Sequence, residues 1–485
     1  MFIRDNLNEM HKFVTIVLGL SAVLAALVPA VSLEQDSQPQ RKNNSNSRSS
    51  SHPCFCELTG TVDDCTCKVE SVSSFNDLHI NPRLTSLLER DYFKFYRVNL
   101  KKPCPFWADD GSCAFESCSV CPCSEEDIPC GLKEEDKEPS AKYSAKENSK
   151  SEEKDCDDRS NEEIRLSALD TTISKKDKEA FETWQEHDDA QMDFCEPQDE
   201  DSVDMEYVDL TINPERYTGY KGKSPRRIWN SVYKENCFAP DPEITGYESL
   251  ASQSFVKGLC LEKRVFYRLI SGLHSSINIH LCARYLLNEG KLGKEIWGPN
   301  VEEFTRRFHP DSTGGEGPIR LKNLFFTYLI VLRAIDKAAP SLANEKFYSG
   351  MPEEDADVRA AVMSLLKSIR KFPSHFNESV MFQGDAQQLM EEFRTHFRNI
   401  SKIMDCVGCD KCKLWGKLQV QGLGTALKIL FTPENKPLKL KRQEIVSLFN
   451  GFGRLSSSVK ALGEFEALIE AEGKGEKAAG ANGYF

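Results

Sequence analysis

Residues Asp405 to Phe431 read DCVGCDKCKLWGKLQVQGLGTALKILF, and the rest of the chain is organised around this stretch. Cys406, Cys409 and Cys412 recur at three-residue intervals just ahead of a long run of apolar residues at helical spacing. The pattern predicts a helix from Lys413 to Leu430 with the cysteines near its N-terminus. A thiolate is favoured there, because the positive end of the helix dipole lowers a thiol pKa, and the thiolate is the species that attacks disulfides. A C-x-x-C pair also closes into a readily exchanged disulfide. The same spacing suits half of a zinc site or a structural bridge, so the cysteines alone leave redox and metal readings open.

Composition narrows the class. The chain has 485 residues, 40% of them hydrophobic, enough for one large or two ordinary cores. A formal charge of -13 argues against phosphate-backbone binding, so nucleic acid is excluded as a partner. Eighteen cysteines point to an oxidising compartment. Residues 13–33 are uncharged, follow Arg4 and Lys12 and lead into Glu34 and Asp36. They read as an export signal, long enough to act as an uncleaved anchor with residues 1–12 in the cytosol. Small residues at Ala30 and Ser32 allow cleavage instead. Residues 34–53 then form a flexible stalk, and Asn43, Asn377 and Asn399 begin glycosylation sequons.

Cysteines mark the next segments. Cys54-Phe55-Cys56 and Cys65-Thr66-Cys67 flank a GTVDD turn, so a hairpin would set Cys54 opposite Cys67 and Cys56 opposite Cys65. A four-cysteine zinc knuckle is the rival reading. Residues Ile80 to Leu100 carry a short amphipathic helix. Cys104, Cys113, Cys118, Cys121, Cys123 and Cys130 then fall among Gly, Ser, Pro and acidic residues with almost no apolar periodicity. That describes a loop held by its own bridges. Cys113 and Cys118 are expected to be exposed and mobile, as a disulfide exchanged with another protein is, or to form a plain staple. Residues 124–206 form an acidic, partly disordered insertion bearing Cys156 and Cys195, with short helical pieces near Lys175 to His187.

Beyond Tyr207, YVDLTINPERYTGYKG and RRIWNSVYKENC predict aromatic and Arg-rich turns followed by a helix, and Phe255 to Asn288 reads as a long buried helix. Cys237 and Cys260 flank the loop between them and would staple it. Ser271 and His274 share one helix face, where a histidine serves either a site or a satisfied core. Further helices are predicted at Leu321–Ala338, Ala356–Lys371, Ala386–Met404 and Arg442–Ala471, with a frayed tail at 472–485. No strand alternation is long enough for a sheet and no glycine fingerprint for a dinucleotide is present, so a cofactor must lie between helices.

Several strings carry a resemblance: CFCELTGTVDDCTC, PCPFW, NPERYTGYKG, IWNSVYKENC, EKRVFYRLISGLHSSINIHL, RLKNLFFTYL, FRNISKIMDCVGCDKCKLWGKLQVQGLGTALKILF and RQEIVSLFN. On them the chain resembles the endoplasmic reticulum oxidoreductin family, flavin-dependent thiol oxidases that regenerate disulfides in protein disulfide isomerase. The resemblance implies a mainly α fold. In it, one helical catalytic domain over 54–471 holds FAD between helices, beside a small disulfide-stapled N-terminal hairpin and long cysteine-bearing loops. It implies that Cys409 and Cys412 are the inner redox pair, with Cys409 the nucleophile, and that Cys113 and Cys118 are the shuttle pair. Arg216, Thr218, Trp229, Ser271, His274, Arg307 and Arg320 stand where the family's FAD contacts stand. Cys104 with Cys406, Cys237 with Cys260, Cys54 with Cys67 and Cys56 with Cys65 match structural bridges. Cys156 and Cys123 match residues that trap the first and second shuttle cysteines, while Cys121 and Cys130 depart from that pattern. Cys195 and Cys282 read as free thiols.

The implied setting is the luminal side of the endoplasmic reticulum membrane, with molecular oxygen as acceptor and hydrogen peroxide as product. Two other classes stay in view: a membrane-anchored zinc scaffold using Cys54 to Cys67 and Cys406 to Cys412 as ligands, and an export-pathway adaptor with purely structural disulfides.

Overall fold

The computed structural model describes residues 69–114, 118–135, 205–235, 261–288, 294–372, 387–433 and 436–481, together with 378, 381 and 382. The expected anchor, the stalk, the nested pairs at Cys54 to Cys67, Cys156, Cys195, Cys237, Cys260, the helical pieces near 175–187 and Asn377 lie outside the described residues. No helix of the described residues is long and apolar enough to cross a membrane.

In chain order the elements are α1 (Val69–Phe75), α2 (Asn81–Leu88), α3 (Asp91–Lys94), β1 (Phe95–Val98), α4 (Cys130–Glu135), β2 (Glu206–Asp209), α5 (Ser224–Glu235) and α6 (Leu261–Ala283). They continue with β3 (Tyr285–Leu286), β4 (Trp297–Gly298), α7 (Val301–Phe308), α8 (Gly317–Ala343), α9 (Pro352–Ile369), α10 (Gln387–Ile403), α11 (Asp410–Phe431) and α12 (Arg442–Ala481). The expected mainly helical single domain is what the chain forms.

Four long helices make the centre: α6 packs on α8 and α12, and α11 packs on α12 and α8. Their buried positions run around much of each helix, as a helix surrounded by others requires. Two glycines set the closest approaches. A Cβ on Gly422 of α11 would overlap the Ser447 carbonyl of α12, and one on Gly272 of α6 would overlap Thr327 and Asn323 of α8. Around this bundle Tyr92, Phe93, Phe347 and Phe449 interlock, with Tyr92–Phe347 centroids at 5.2 Å and Phe93–Phe449 at 5.3 Å, both edge-on. Arg442 donates to the Tyr92 carbonyl at 2.8 Å and the Phe95 carbonyl at 2.6 Å, which fastens the start of α12 to the turn between α3 and β1.

Several sequence expectations shift. The amphipathic helix expected within Ile80–Leu100 divides into α2 and α3, because Arg90 takes an extended conformation between them. A sheet was not expected, yet β1 and β2 pair antiparallel, Phe95 opposite Asp209, and β3 pairs with β4. These strands are too short for alternation to register in sequence. The described part of the helix expected at Phe255–Asn288 is Leu261–Ala283, and it stops where β3 begins. Helix α7 had no counterpart in the sequence reading. The expected tail continues α12 through Ala481, in keeping with its Ala, Glu and Lys content. The start of the acidic insertion is ordered: α4 buries Leu132, Ile128 is buried beside it, and the Gly131 amide donates to the Ser349 carbonyl at 3.1 Å. The sequon asparagine Asn399 is buried, which removes it from the glycosylation candidates in the folded chain.

Candidate active site: a sulfur relay beside a cavity

The N-terminus of α11 builds the inner pair. Cys409 is the N-cap in an extended conformation, and its Sγ accepts the Cys412 backbone amide at 3.4 Å. The two Sγ atoms lie 2.7 Å apart, with the Cys412 thiol donating to Cys409. That hydrogen bond is the main cause lowering the Cys409 thiol below its ordinary value. Burial opposes it and a contact from Thr218 assists. The same bond, with burial, raises the Cys412 thiol well above the ordinary value. When the pair gives up one proton, Cys409 is therefore the sulfur that carries the charge and Cys412 the one that keeps its proton.

Cys113 and Cys118 are brought to Cys409 by backbone pairing. Cys104 is disulfide-bonded to Cys406 across 302 residues of sequence, which roots the cysteine-rich loop beside α11. Farther along, Ser112 and Lys221 exchange amide–carbonyl bonds at 2.8 Å, the Ala114 amide donates to the Gly219 carbonyl at 3.3 Å, and the Lys411 amide donates to the Cys118 carbonyl at 2.9 Å. Cys113 and Cys118 are joined in a disulfide, and their sulfurs and that of Cys409 all lie within 4.8 Å of one another. Both shuttle cysteines are half-buried, where the sequence predicted exposure, because these bonds lay the loop against α11. Two of the three sulfurs share a covalent bond, so the cluster is a disulfide facing the free sulfur of Cys409.

The segment Asn213–Lys221 forms the other wall. Asn213 exchanges bonds with the Cys121 amide and carbonyl, both at 2.8 Å, and its own carbonyl accepts the Trp415 indole at 2.7 Å. Glu215 is buried and paired with Arg454 at 3.0 Å, and Arg454 in turn lies over the Trp415 ring. Burial raises the Glu215 carboxyl, partly offset by Arg454 and Gln419.

Between this segment, α5, α6 and α11 lies a cavity of about 360 Å³ lined by Tyr217, Thr218, Tyr220, Trp229, His274, Arg307 and Cys412, among others. Trp229 stacks on His274 with ring centroids 3.6 Å apart, and the Tyr233 hydroxyl lies 3.2 Å from His274 Nδ1. Burial, with Arg320 and Arg307 adding to it, holds the His274 imidazole well below 6.5, so the ring is neutral near pH 7.

The chain matches the family model for endoplasmic reticulum oxidoreductin 1 over residues 79–462. The chain belongs to the endoplasmic reticulum oxidoreductin family. ERO1-like protein alpha of Homo sapiens is 50% identical over 442 residues, covering 86% of this chain and 92% of that protein. Ero1-like protein of Drosophila melanogaster is 48% identical over 442 residues, covering 86% and 91%. Among solved structures, that of Ero1p, source of disulfide bonds for oxidative protein folding in the cell, has a TM-score of 0.55. It is 28% identical and covers 83% of this chain and 98% of that one. This oxidoreductin is thus an oxidoreductase acting on thiols, and its family places it in the endoplasmic reticulum.

Of the residues singled out by sequence, the fold gathers Cys113, Cys118, Cys409, Cys412 and Thr218 at the relay and Trp229, His274 and Arg307 at the cavity. Cys412 lines the cavity while Cys409 faces the shuttle. Arg320 acts on His274 electrostatically. Arg216 lies over the Trp297 ring at 4.9 Å, and the Ser271 hydroxyl accepts from Asn323 at 3.0 Å; neither lines the cavity. Cys406 is bonded to Cys104, as the resemblance implied, which withdraws it from the zinc-scaffold ligand set. Cys123, Cys121 and Cys130 are free thiols, and so is the buried Cys282, whose thiol burial pushes up to about 11. The sequence reading did not single out Tyr217, Tyr220, Glu215 or Asn278. The first three sit in or beside the NPERYTGY string already quoted, and Asn278 is one helical turn beyond His274.

Proposed function

We propose that this oxidoreductin is an FAD-dependent thiol oxidase of the endoplasmic reticulum lumen. It oxidises protein disulfide isomerase at Cys113–Cys118 and relays the electron pair to Cys409–Cys412, then to FAD and molecular oxygen, giving hydrogen peroxide. One observation carries the reading: the shuttle disulfide meets Cys409, and the partner of Cys409, Cys412, lines the adjoining cavity. Access for a protein substrate and access to a cofactor thereby fall on opposite sides of one cysteine pair.

The residues around the cavity suit FAD. The stacked rings of Trp229 and His274 line the cavity with aromatic surface, and Arg307 and Arg226 bring cationic groups suited to a pyrophosphate. Arg320 would add charge beside His274. When bound, the flavin would supply two-electron acceptance from a dithiol and delivery to oxygen. The protein's part is exchange: a shuttle thiolate attacks Cys409, and Cys412 departs toward the cavity. Cys409, which the resemblance implied to be the nucleophile, here takes the attack from outside, and Cys412 is the sulfur presented to the cofactor.

Cys123 and Cys156 are assigned to the resting state, as traps for Cys118 and Cys113, and residues 13–33 to membrane attachment. The protein purified from an oxidising host should be yellow and consume oxygen with reduced isomerase. Cys409→Ala should abolish turnover with flavin retained. A colourless, folded preparation binding stoichiometric zinc would overturn the reading.

A further inference from the structure

Thr218 stands among the sulfurs as well as at the cavity. Its Oγ1 lies 3.5 Å from Cys409 Sγ, 3.7 Å from Cys412 Sγ and 3.9 Å from Cys113 Sγ, and the residue is buried. A hydroxyl has one proton to give and two lone pairs. It can therefore take a proton from one of these sulfurs while giving its own to another. The fourth sulfur, Cys118, is absent from this set, although it lies within 4.8 Å of Cys409.

Proton balance gives the position a purpose. The reduced shuttle enters as one thiolate and one thiol, and the inner pair leaves as one thiolate and one thiol, so one proton must cross between pairs with the two electrons. We propose that the Thr218 hydroxyl relays this proton from Cys113 to Cys412, a role that rests on the oxidase reading of the same site. Cys118, as thiolate, attacks Cys409 Sγ. The Cys409–Cys412 bond breaks and Cys412 leaves as a thiolate. Thr218 donates its proton to Cys412 and takes the Cys113 proton in its place. Cys113, now a thiolate, attacks Cys118 in the mixed disulfide. The Cys113–Cys118 bond re-forms and Cys409 departs as a thiolate. Two electrons and one proton have moved inward and no co-reactant is consumed. The charge ends on Cys409 and the proton on Cys412, the distribution that the inner pair's mutual hydrogen bond favours.

The assignment separates the shuttle cysteines by role. Cys118 is the attacking sulfur, and Cys113 holds its proton until the second step. It also makes Thr218 more than a wall residue. A merely structural threonine would affect cofactor retention and leave the intermediate unchanged, whereas a relay would make the Cys118–Cys409 mixed disulfide accumulate when the hydroxyl is removed.

The test is rapid acid quench of the oxidised holoenzyme after mixing with dithiothreitol, with disulfides mapped by mass spectrometry in wild type, Thr218→Val and Thr218→Ser. Thr218→Val should slow resolution of the Cys118–Cys409 species about tenfold, the scale of one lost hydrogen bond to a charged group, and Thr218→Ser should restore it. Should Thr218→Val not fold, Thr218→Ala read the same way decides the matter. Resolution at the wild-type rate without the hydroxyl, or a trapped Cys113–Cys409 species instead, would overturn the relay. Disulfide mapping does not depend on flavin or oxygen. A wild type that exchanges disulfides but consumes no oxygen would thus sink the oxidase reading alone, and an unaffected Thr218→Val would sink the relay alone.

Discussion

The Tyr220 hydroxyl accepts the Gly408 amide at 3.1 Å, tying the cavity wall to the residue just before the inner pair. The same phenol donates to Asp109 at 2.9 Å, with Ser224 at 3.0 Å, so one oxygen links the shuttle loop, α5 and the entry to α11. Tyr220→Phe should loosen the docked loop while leaving the core intact. The expected stability loss is about 1 kcal/mol. Amide hydrogen exchange at Ser112 and Ala114 should accelerate, and unchanged protection there would show that the backbone pairing holds the loop unaided.

Removing the Cys104–Cys406 bridge should have a larger effect, because it joins segments 302 residues apart. For Cys104→Ser with Cys406→Ser, a loss of roughly 2–5 kcal/mol is expected in denaturant unfolding under non-reducing conditions. A midpoint equal to wild type would mean that burial in α10 and α11 alone fixes this corner.

Acid should weaken the fold through two imidazoles. Burial is the main cause holding His274 and His280 well below 6.5, with Arg320 and Arg307 adding at the first and Arg454 at the second. In the unfolded chain both take up protons as the pH falls through that ordinary value, while in the folded chain they stay neutral. The unfolded state then binds more protons, so stability is full above the ordinary value and declines below it. Each group should cost about 1.4 kcal/mol per pH unit inside that window. Unfolding midpoints measured from about pH 7 to about pH 5 would check the slope, and His280→Gln should flatten it by one group's share.

The inner pair should titrate unequally. The Cys412 hydrogen bond is the leading cause lowering the Cys409 thiol, so Cys412→Ala should raise it. Ultraviolet thiolate absorbance of the reduced protein, compared with a Cys409→Ser control, reads this directly. A titration unmoved by Cys412→Ala would leave the helix N-terminus as the governing influence.

How much of this was legible beforehand depends on whether a residue's role is local. The helix starting at Asp410 announces itself through periodicity, and the cysteines ahead of it through spacing. The convergence of Cys113 with Cys409 is invisible to periodicity, because it is made by backbone pairing between residues 112–114 and 219–221. The half-buried state of Cys113 and Cys118 is hidden from sequence for the same reason: a polar loop reads as solvated until its docking surface is known. Glu215 reads as one more acid in a turn, and only the fold reveals that Arg454, far along the chain, lies against it. Strands of two to four residues leave no alternation to detect.

The Cys104–Cys406 bridge also fixes how far the outer sulfurs can travel. Cys113 follows Cys104 by nine residues, so even a fully extended leash carries Cys113 no more than about 32 Å from the anchored end. Under the proposed function, a protein substrate must present its own reactive sulfur inside that radius. In return, a released outer pair stays at a high effective concentration around Cys409 and finds it again without searching the lumen.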